Sequence, residues 1–421
     1  MVPATIARCF ESNERLATVA QKRNYYFLRQ PHKYRDCMSR EGELDLPIGH
    51  VPELDGLRGI AILLVLLFHS AQHVFAFGWM GVDLFFVLSG FLISSGLLRC
   101  VGRPHFFRDF YVKRALRIWP IYFLLLGVVF IALPPLLGSD EPSGWMSYLL
   151  YVQNFAHPLS TPEGLGQLWS LAVEEHFYLI WPVIVFVLSR RGVDRCALAL
   201  IVAAPLARLL LIATGAPAWT IYYLTPCRVD ALALGAWLAV HVSKRESTRE
   251  QLRRWSAPIA VSCTAAAIPL AICFGGDAMN GTVPALHPNL RAALLTLTAF
   301  AGAGCVGYAL ASGPTRISRL LRNRVLGYFG KISYGMYMYH ALIFAAISRK
   351  LESASSKTGS LPTHCLRALL EIGATVLVAS VSWYALERPV LGLKALLRPR
   401  VVSAGPTLVH APVTQNPLRD A

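Results

Sequence analysis

Leu57-Arg58-Gly59-Ile60-Ala61-Ile62-Leu63-Leu64-Val65-Leu66-Leu67-Phe68-His69 is an apolar run broken by two ionisable residues, Arg58 and His69. Eleven residues at about 100° each make roughly three helical turns, so both side chains leave a helix on nearly one face, about 16 Å apart along its axis. A cation and an imidazole inside a membrane helix are costly and therefore usually mark a site. The plainer alternative makes Arg58 an anchor at the cytoplasmic edge and His69 a hydrogen-bonding partner for another helix.

The rest of the chain extends the membrane assignment. Of 421 residues, 55% are hydrophobic and only 15% charged, which is few for a soluble protein. The apolar residues come in blocks long enough to cross a bilayer. The pattern predicts an all-α, polytopic bundle of about ten transmembrane helices, over 57–78, 79–99, 115–137, 168–189, 196–214, 222–243, 256–275, 289–312, 327–348 and 367–390. Residues 1–50 read as a polar, basic, disordered cytoplasmic arm, 51–395 as one membrane domain, and 396–421 as a disordered cytoplasmic tail. Met38 stands as a second candidate start. No cleavable signal peptide and no fixed-period repeat is expected.

A net charge of +16 invites a nucleic-acid partner, but the charge distribution excludes one. Lys and Arg cluster in alternate loops, around 99–113, 190–195, 244–254 and 316–324, while the loops between are nearly free of them. That alternation predicts both termini in the cytoplasm, and the inner (plasma) membrane is the expected location. The nine cysteines are scattered without a C-x-x-C pair, so neither a metal site nor a disulfide framework follows.

Five further constellations carry polar chemistry into apolar segments. Asp83 and the Ser89-Gly90 pair lie in the second span, where Asp83 needs a partner and the small pair suits either close packing or a site. Arg114 and Arg117, three apart, share a helix face where two guanidinium forks suit phosphate, or else serve as an anchor. The fourth span opens with Trp169 and places Glu174, Glu175 and His176 about 9 Å below its outer edge, with Arg228 and Asp230 of the sixth at a similar level. Either a polar cavity or an ion-pair network accounts for them. Tyr334, Tyr337 and His340 form a polar aromatic stripe in the ninth span. Glu387-Arg388-Pro389 closes the tenth near Arg114 and Arg117, with Pro389 expected to end the helix.

Taken in order, Arg58 with His69, Phe85-Phe86-Val87-Leu88-Ser89-Gly90, Arg114-Ala115-Leu116-Arg117, Trp169-Ser170-Leu171 through Glu174-Glu175, Ser333-Tyr334 through His340, and Glu387-Arg388-Pro389 resemble the acyltransferase-3 family of integral-membrane O-acyltransferases. The resemblance covers about residues 51–395. It implies transfer of an acyl group, commonly acetyl from acetyl-CoA, to a hydroxyl of a cell-surface glycan, lipid-linked sugar or secreted metabolite. It makes His69 the essential histidine, Arg58 its paired arginine, and Arg114 and Arg117 the pair that handles acyl-CoA. His176 stands where the family more often has Gln, and no appended esterase-like domain is expected. The expected machinery is then His69 as general base, oriented by Glu174 or Asp83. Arg114, Arg117 and Arg388 would bind acyl-CoA, with Ser89, Trp169, Glu175, Arg228, Asp230, Tyr334, Tyr337, His340 and Glu387 in support. No bound cofactor or metal is expected. Acyl-CoA, the hydroxyl acceptor and membrane lipid are the partners. A proton-coupled transporter would use the same buried His, Glu and Arg, but transporters often carry inverted repeats, and each motif here occurs once.

Overall fold

The computed structural model describes residues 50–72, 74–134, 144–156, 161–243, 249–274, 288–354 and 361–394. The arm and tail expected at the two ends fall almost wholly outside these residues. All regular structure among them is helical: α1 Pro52–Ser70, α2 Met80–Cys100, α3 Phe106–Gly127, α4 Trp145–Leu149, α5 Leu168–Val187, α6 Arg190–Ala213, α7 Thr220–Tyr223, α8 Val229–Val242, α9 Arg249–Phe274, α10 Pro288–Ala311, α11 Arg316–Leu321, α12 Arg324–Ala354, α13 Leu361–Ser382 and α14 Arg388–Gly392. A π-helical segment, Val128–Ala132, continues α3, and another, Trp383–Glu387, joins α13 to α14.

Seven of the described helical runs are long and apolar enough to cross a membrane: α2, α3, α5, α6, α9, α10, and α13 with α14. The chain is a multi-pass membrane protein. Three other helices occupy positions where spans were expected but lie outside that set. At 14 residues α8 is short, about 21 Å by helical rise. Polar residues interrupt α1 and α12, and these two helices supply much of the site.

Burial separates the bundle into an inner and an outer set. α2 and α10 are largely enclosed, whereas α6, α9 and α13 show Leu206, Leu210, Val261, Ile272, Leu369 and Leu377 on exposed faces. Aliphatic side chains exposed on membrane helices face lipid and need no protein partner.

Glycines set close approaches between helices, two of them at the site. A Cβ on Gly90 of α2 would lie 1.9 Å from the Leu232 carbonyl oxygen of α8. One on Gly330 of α12 would lie 2.0 Å from the Asp55 carbonyl oxygen of α1. The first contact resolves the Ser89-Gly90 pair: Gly90 packs, leaving Ser89 to turn away. The second brings Arg58 within hydrogen-bonding reach of α12.

Two sequence expectations about helix ends are corrected. The first span does not run over 57–78. α1 ends at Ser70, and turns occupy the described residues up to Trp79. His69 is therefore the penultimate residue of α1 rather than a mid-helix residue. Pro389 does not end its helix either: α14 carries it in its first turn, after the π-helical segment, and continues to Gly392. A first-turn proline forfeits no hydrogen bond that the helix requires.

Candidate functional site

Three cavities lie in series through the inner helices. The first, about 560 Å³, is lined by the start of α1 and α12 with Arg58, Arg117, Arg322, Arg324, Lys331 and Trp383. The second, about 160 Å³, shares Arg58 and Arg117 with it and adds Ser89, Arg114, Glu174, Tyr178, Ser333 and Tyr337. The third, about 350 Å³, shares Val82 and Tyr337 with the second and holds His69 among Trp79, Trp169, Tyr222, Tyr223 and Glu163. Arg58 and Arg117 thus stand at one neck, Val82 and Tyr337 at the other.

The middle cavity is organised by Glu174. Its Oε1 accepts from Ser89 Oγ at 2.7 Å and its Oε2 from the Tyr178 hydroxyl at 2.8 Å. Glu174 and Tyr178 are one helical turn apart on α5, so a single helix face presents both. The guanidinium of Arg114 lies over the Tyr178 ring, 5.0 Å from its centroid. Arg58 Nη2 donates to Ser333 Oγ at 3.2 Å, which ties α1 to α12 across the cavity. The Tyr334 hydroxyl donates to the Ile118 carbonyl oxygen at 2.8 Å, fixing α3 and its Arg114 and Arg117 against α12.

At the far neck, Ser170 Oγ and the Tyr337 hydroxyl are 2.5 Å apart, and the same hydroxyl donates to the Gln167 carbonyl oxygen at 3.0 Å. Beyond it the His69 and His340 rings lie 4.9 Å apart between centroids. His69 Nδ1 is 2.9 Å from the Val65 carbonyl oxygen and His340 Nδ1 is 2.7 Å from that of Tyr337. A carbonyl oxygen only accepts, so Nδ1 carries the proton in both rings and each Nε2 keeps its lone pair. His340 Nε2 is buried without a partner among the described residues.

The expectation that Asp83 or Glu174 orients His69 is corrected by these contacts: a backbone carbonyl does so. Asp83 is committed elsewhere, with Oδ1 accepting from Arg228 Nη2 at 2.7 Å and Oδ2 from Thr298 Oγ1 at 2.9 Å. Arg228 is boxed by Phe86, Trp169 and Tyr222, whose ring centroids lie 5.6, 5.5 and 5.0 Å away. Asp230 pairs with Arg208 of α6. Asp83, Arg228 and Asp230 therefore belong to a buried charge network that joins α2, α6, α8 and α10, with Trp169 of α5 packed on Arg228. Arg208 escaped the sequence analysis because one arginine in an otherwise apolar helix lacks a visible mate until Asp230 is brought to it.

The remaining candidates divide between the site and its rim. Glu175, next to Glu174 in sequence, is half-buried, with Oε1 unpartnered among the described residues. The π-helical segment turns Glu387 inward, where its carboxylate faces the charges of Arg117 and Arg58. Arg388 is exposed and lines none of the three cavities. Tyr178, Gln167 and Lys331 join the site from positions that the motifs did not single out. His176 points away, its Nδ1 2.7 Å from Thr225 Oγ1.

The chain belongs to the acyltransferase family whose domain pattern it matches over residues 51–386. It is 30% identical over 363 residues to a Bacillus subtilis protein named "Putative peptidoglycan O-acetyltransferase YrhL", covering 81% of this chain and 55% of that one. It is 28% identical over 363 residues to the peptidoglycan O-acetyltransferase OatA of Listeria monocytogenes, covering 81% and 56%. The chain thus spans little more than half the length of these relatives. No solved structure matches it.

Proposed function

We propose that this member of the family is an O-acyltransferase of the plasma membrane. It moves an acetyl or other acyl group from an acyl-CoA at the basic, cytosolic face to a hydroxyl of a glycan at the opposite face. The observation that carries the reading is the series of cavities, which runs from a cluster of cations to an imidazole with an open lone pair. The names of the relatives support a glycan acceptor. The acyl chain reaches the third cavity on the pantetheine arm, whose length is comparable with the run from Arg58 to His69, about 16 Å.

In this mechanism the acceptor hydroxyl enters the third cavity and His69 Nε2 takes its proton as the oxygen attacks the thioester carbonyl. The Nδ1–H bond to Val65 holds the tautomer that leaves Nε2 basic. The C–S bond then breaks and CoA leaves as thiolate toward the basic face. Arg58, Arg114 and Arg117 neutralise the donor's negative charge along its path. A double-displacement form of the same reaction has one observation in its favour, the 2.7 Å bond between Ser89 Oγ and the Glu174 carboxylate. Acyl label found on Ser89 after exposure to donor alone would select that form.

The test is to supply labelled acetyl-CoA to sealed membranes containing the protein and to follow CoA release and label in the glycan fraction. Protein-dependent release with labelled glycan is expected. Solute or proton flux without CoA release would replace the reading with that of a transporter.

A further inference from the structure

Two side chains that border the cavity around His69 each keep a polar atom without a protein partner. Gln167 and Trp79 stand immediately before α5 and α2, and both line that cavity. Gln167 is 5% exposed and Trp79 2%. The amide nitrogen of Gln167 donates to the Met338 carbonyl oxygen at 2.9 Å and to that of Gly164 at 3.1 Å. A carbonyl oxygen only accepts, so these contacts fix which way the amide is turned and occupy both its N–H groups. Its Oε1 is left buried without a partner among the described residues, and so is the indole Nε1 of Trp79. A buried group without its hydrogen bond costs about 1–3 kcal/mol. Two such groups on the walls of one cavity call for a partner that the protein does not supply.

We infer that Gln167 and Trp79 select the acceptor: they hold an uncharged sugar ring that donates a hydrogen bond to Gln167 Oε1 and accepts one from Trp79 Nε1. The inference rests on the proposed glycan acceptor and names the side chains that choose it. Its first support is complementarity. One free acceptor and one free donor match hydroxyl or acetamido groups, which both donate and accept, whereas an ionised carboxylate only accepts. The second is charge. No lysine or arginine appears among the described lining residues, whereas Glu163 does, paired with the exposed Arg349. An anionic sugar finds no counter-charge on these walls. The third is position. The Gln167 carbonyl oxygen accepts from the Tyr337 hydroxyl at 3.0 Å and from Ser170 Oγ at 3.1 Å. Tyr337 lines this cavity and the middle one. Gln167 therefore stands at the neck where the proposed donor presents its acyl group. A volume of about 350 Å³ is at the small end of the range for ligand sites, which suits a single ring.

The segment that carries Gln167 is pinned to α12. Gly164 has a φ of +82°, and a Cβ on it would lie 3.0 Å from the Leu342 Cα. Only glycine allows both that backbone and that approach. The Glu163–Arg349 ion pair ties the same segment farther along α12. With its backbone and both N–H groups held, the amide is already ordered before a ligand arrives, and little entropy is lost on binding.

The experiment measures binding of two tetrasaccharides, chitotetraose (neutral) and tetragalacturonate (anionic), to the purified full chain in lipid nanodiscs by calorimetry. Chitotetraose should bind at least about tenfold more tightly, as one mismatched polar contact requires. Gln167→Met, similar in length but without the acceptor oxygen, should weaken chitotetraose about tenfold and leave acetyl-CoA affinity unchanged. Trp79→Phe keeps a ring and removes only the N–H, and should weaken it about fivefold. This second variant decides the matter should Gln167→Met fail to fold. In turnover assays both variants should raise the KM for chitotetraose and leave the KM for acetyl-CoA as it was, a split that general damage to the fold would not produce. Wild-type chitotetraose affinity in both variants would overturn the inference, since water would then be the partner of these atoms. So would failure of chitotetraose to bind, or equal affinity for tetragalacturonate. Chitotetraose binding that depends on Gln167 and Trp79, with no transfer from acetyl-CoA, would sink the proposed reaction while leaving this site standing.

Discussion

At the basic face, the cavity between α1, α12 and the π-helical segment is walled by arginine, lysine and one indole. At the opposite face, the cavity around His69 is walled by Trp79, Trp169, Tyr222 and Tyr223, and no lysine or arginine appears among its described lining residues. Between them lies a middle cavity of about 160 Å³ that shares lining residues with each. One end suits a polyanion, the other a neutral ligand with faces to stack and a hydroxyl to deprotonate. If that division is real, damage to one end should leave the other end's ligand untouched.

The largest effect is expected at the aromatic end. His69→Gln should lower acyl transfer by about two to four orders of magnitude, the usual contribution of a positioned general base. Acetyl-CoA binding should remain intact, because the residues proposed to hold its phosphates lie beyond the middle cavity. Glutamine can still hydrogen-bond but cannot act as the base, so a variant with near-normal turnover would remove His69 from the mechanism. The comparison sharpens further with His340→Asn. Its Nε2 has no partner among the described residues, and loss of a ring 4.9 Å from His69 should change the pH profile of turnover rather than donor affinity.

Next in size is a loss of stability with no preference for either end. Asp83→Asn would leave Arg228 buried without its counter-charge, at a cost of about 3–5 kcal/mol. The expected outcome is a lower melting temperature in detergent, with turnover per folded molecule nearly unchanged. If instead Asp83→Asn keeps wild-type stability and abolishes transfer, the charge network belongs to the chemistry and the separation of site from scaffold is misdrawn.

At the basic end, replacing Arg114 and Arg117 together by Ala should raise the KM for acetyl-CoA about 10- to 100-fold, as expected for lost charge-assisted contacts to phosphate. Lys replacements should recover only part, since an ammonium lacks the guanidinium fork. Unchanged donor affinity would make the pair an anchor and would leave the first cavity without a connection to the second.

How much of this was legible in the sequence depends on the kind of signal. The helical class and the basic face could be read because hydropathy and charge are local sums. Arg58, Arg114 and Arg117 could be placed near one another because motif order and alternating spans bring them to one end. The end of α1 at Ser70 could not, because the residues up to Trp79 continue the apolar pattern while the described ones among them form turns. Nor could the partners of Asp83 and Glu174 be assigned, since two carboxylates in apolar helices look alike until packing delivers Arg228 to one and Ser89 to the other. Family likeness singled out Arg58, His69, Arg114 and Arg117 and was silent on Lys331 and Trp383, whose contact exists only after the π-helical segment turns the indole toward the cavity.

The smallest expected effect tests the edge of the basic cluster. Lys394 follows α14, outside the membrane spans. Its ammonium is lowered to about 8, first by burial and then by Arg117, Arg114 and Lys113 nearby. At pH 7 it is charged, and it loses its proton as the pH rises through about 8. A bound polyphosphate favours the charged form and so raises this pKa. Donor binding should therefore take up a fraction of a proton around pH 8–9, and affinity should fall a few-fold as the pH rises through that window. Calorimetric titration with acetyl-CoA in two buffers of different ionisation heat measures the uptake directly. Lys394→Gln should remove both the uptake and the pH step, with a loss of only a few-fold in affinity at pH 7, because one half-buried cation is screened by solvent. A pH step that survives in Lys394→Gln would assign the titration to another group. Proton release instead of uptake would mean that the donor's charge does not reach this cluster, and the comparison between the two ends would lose its electrostatic half.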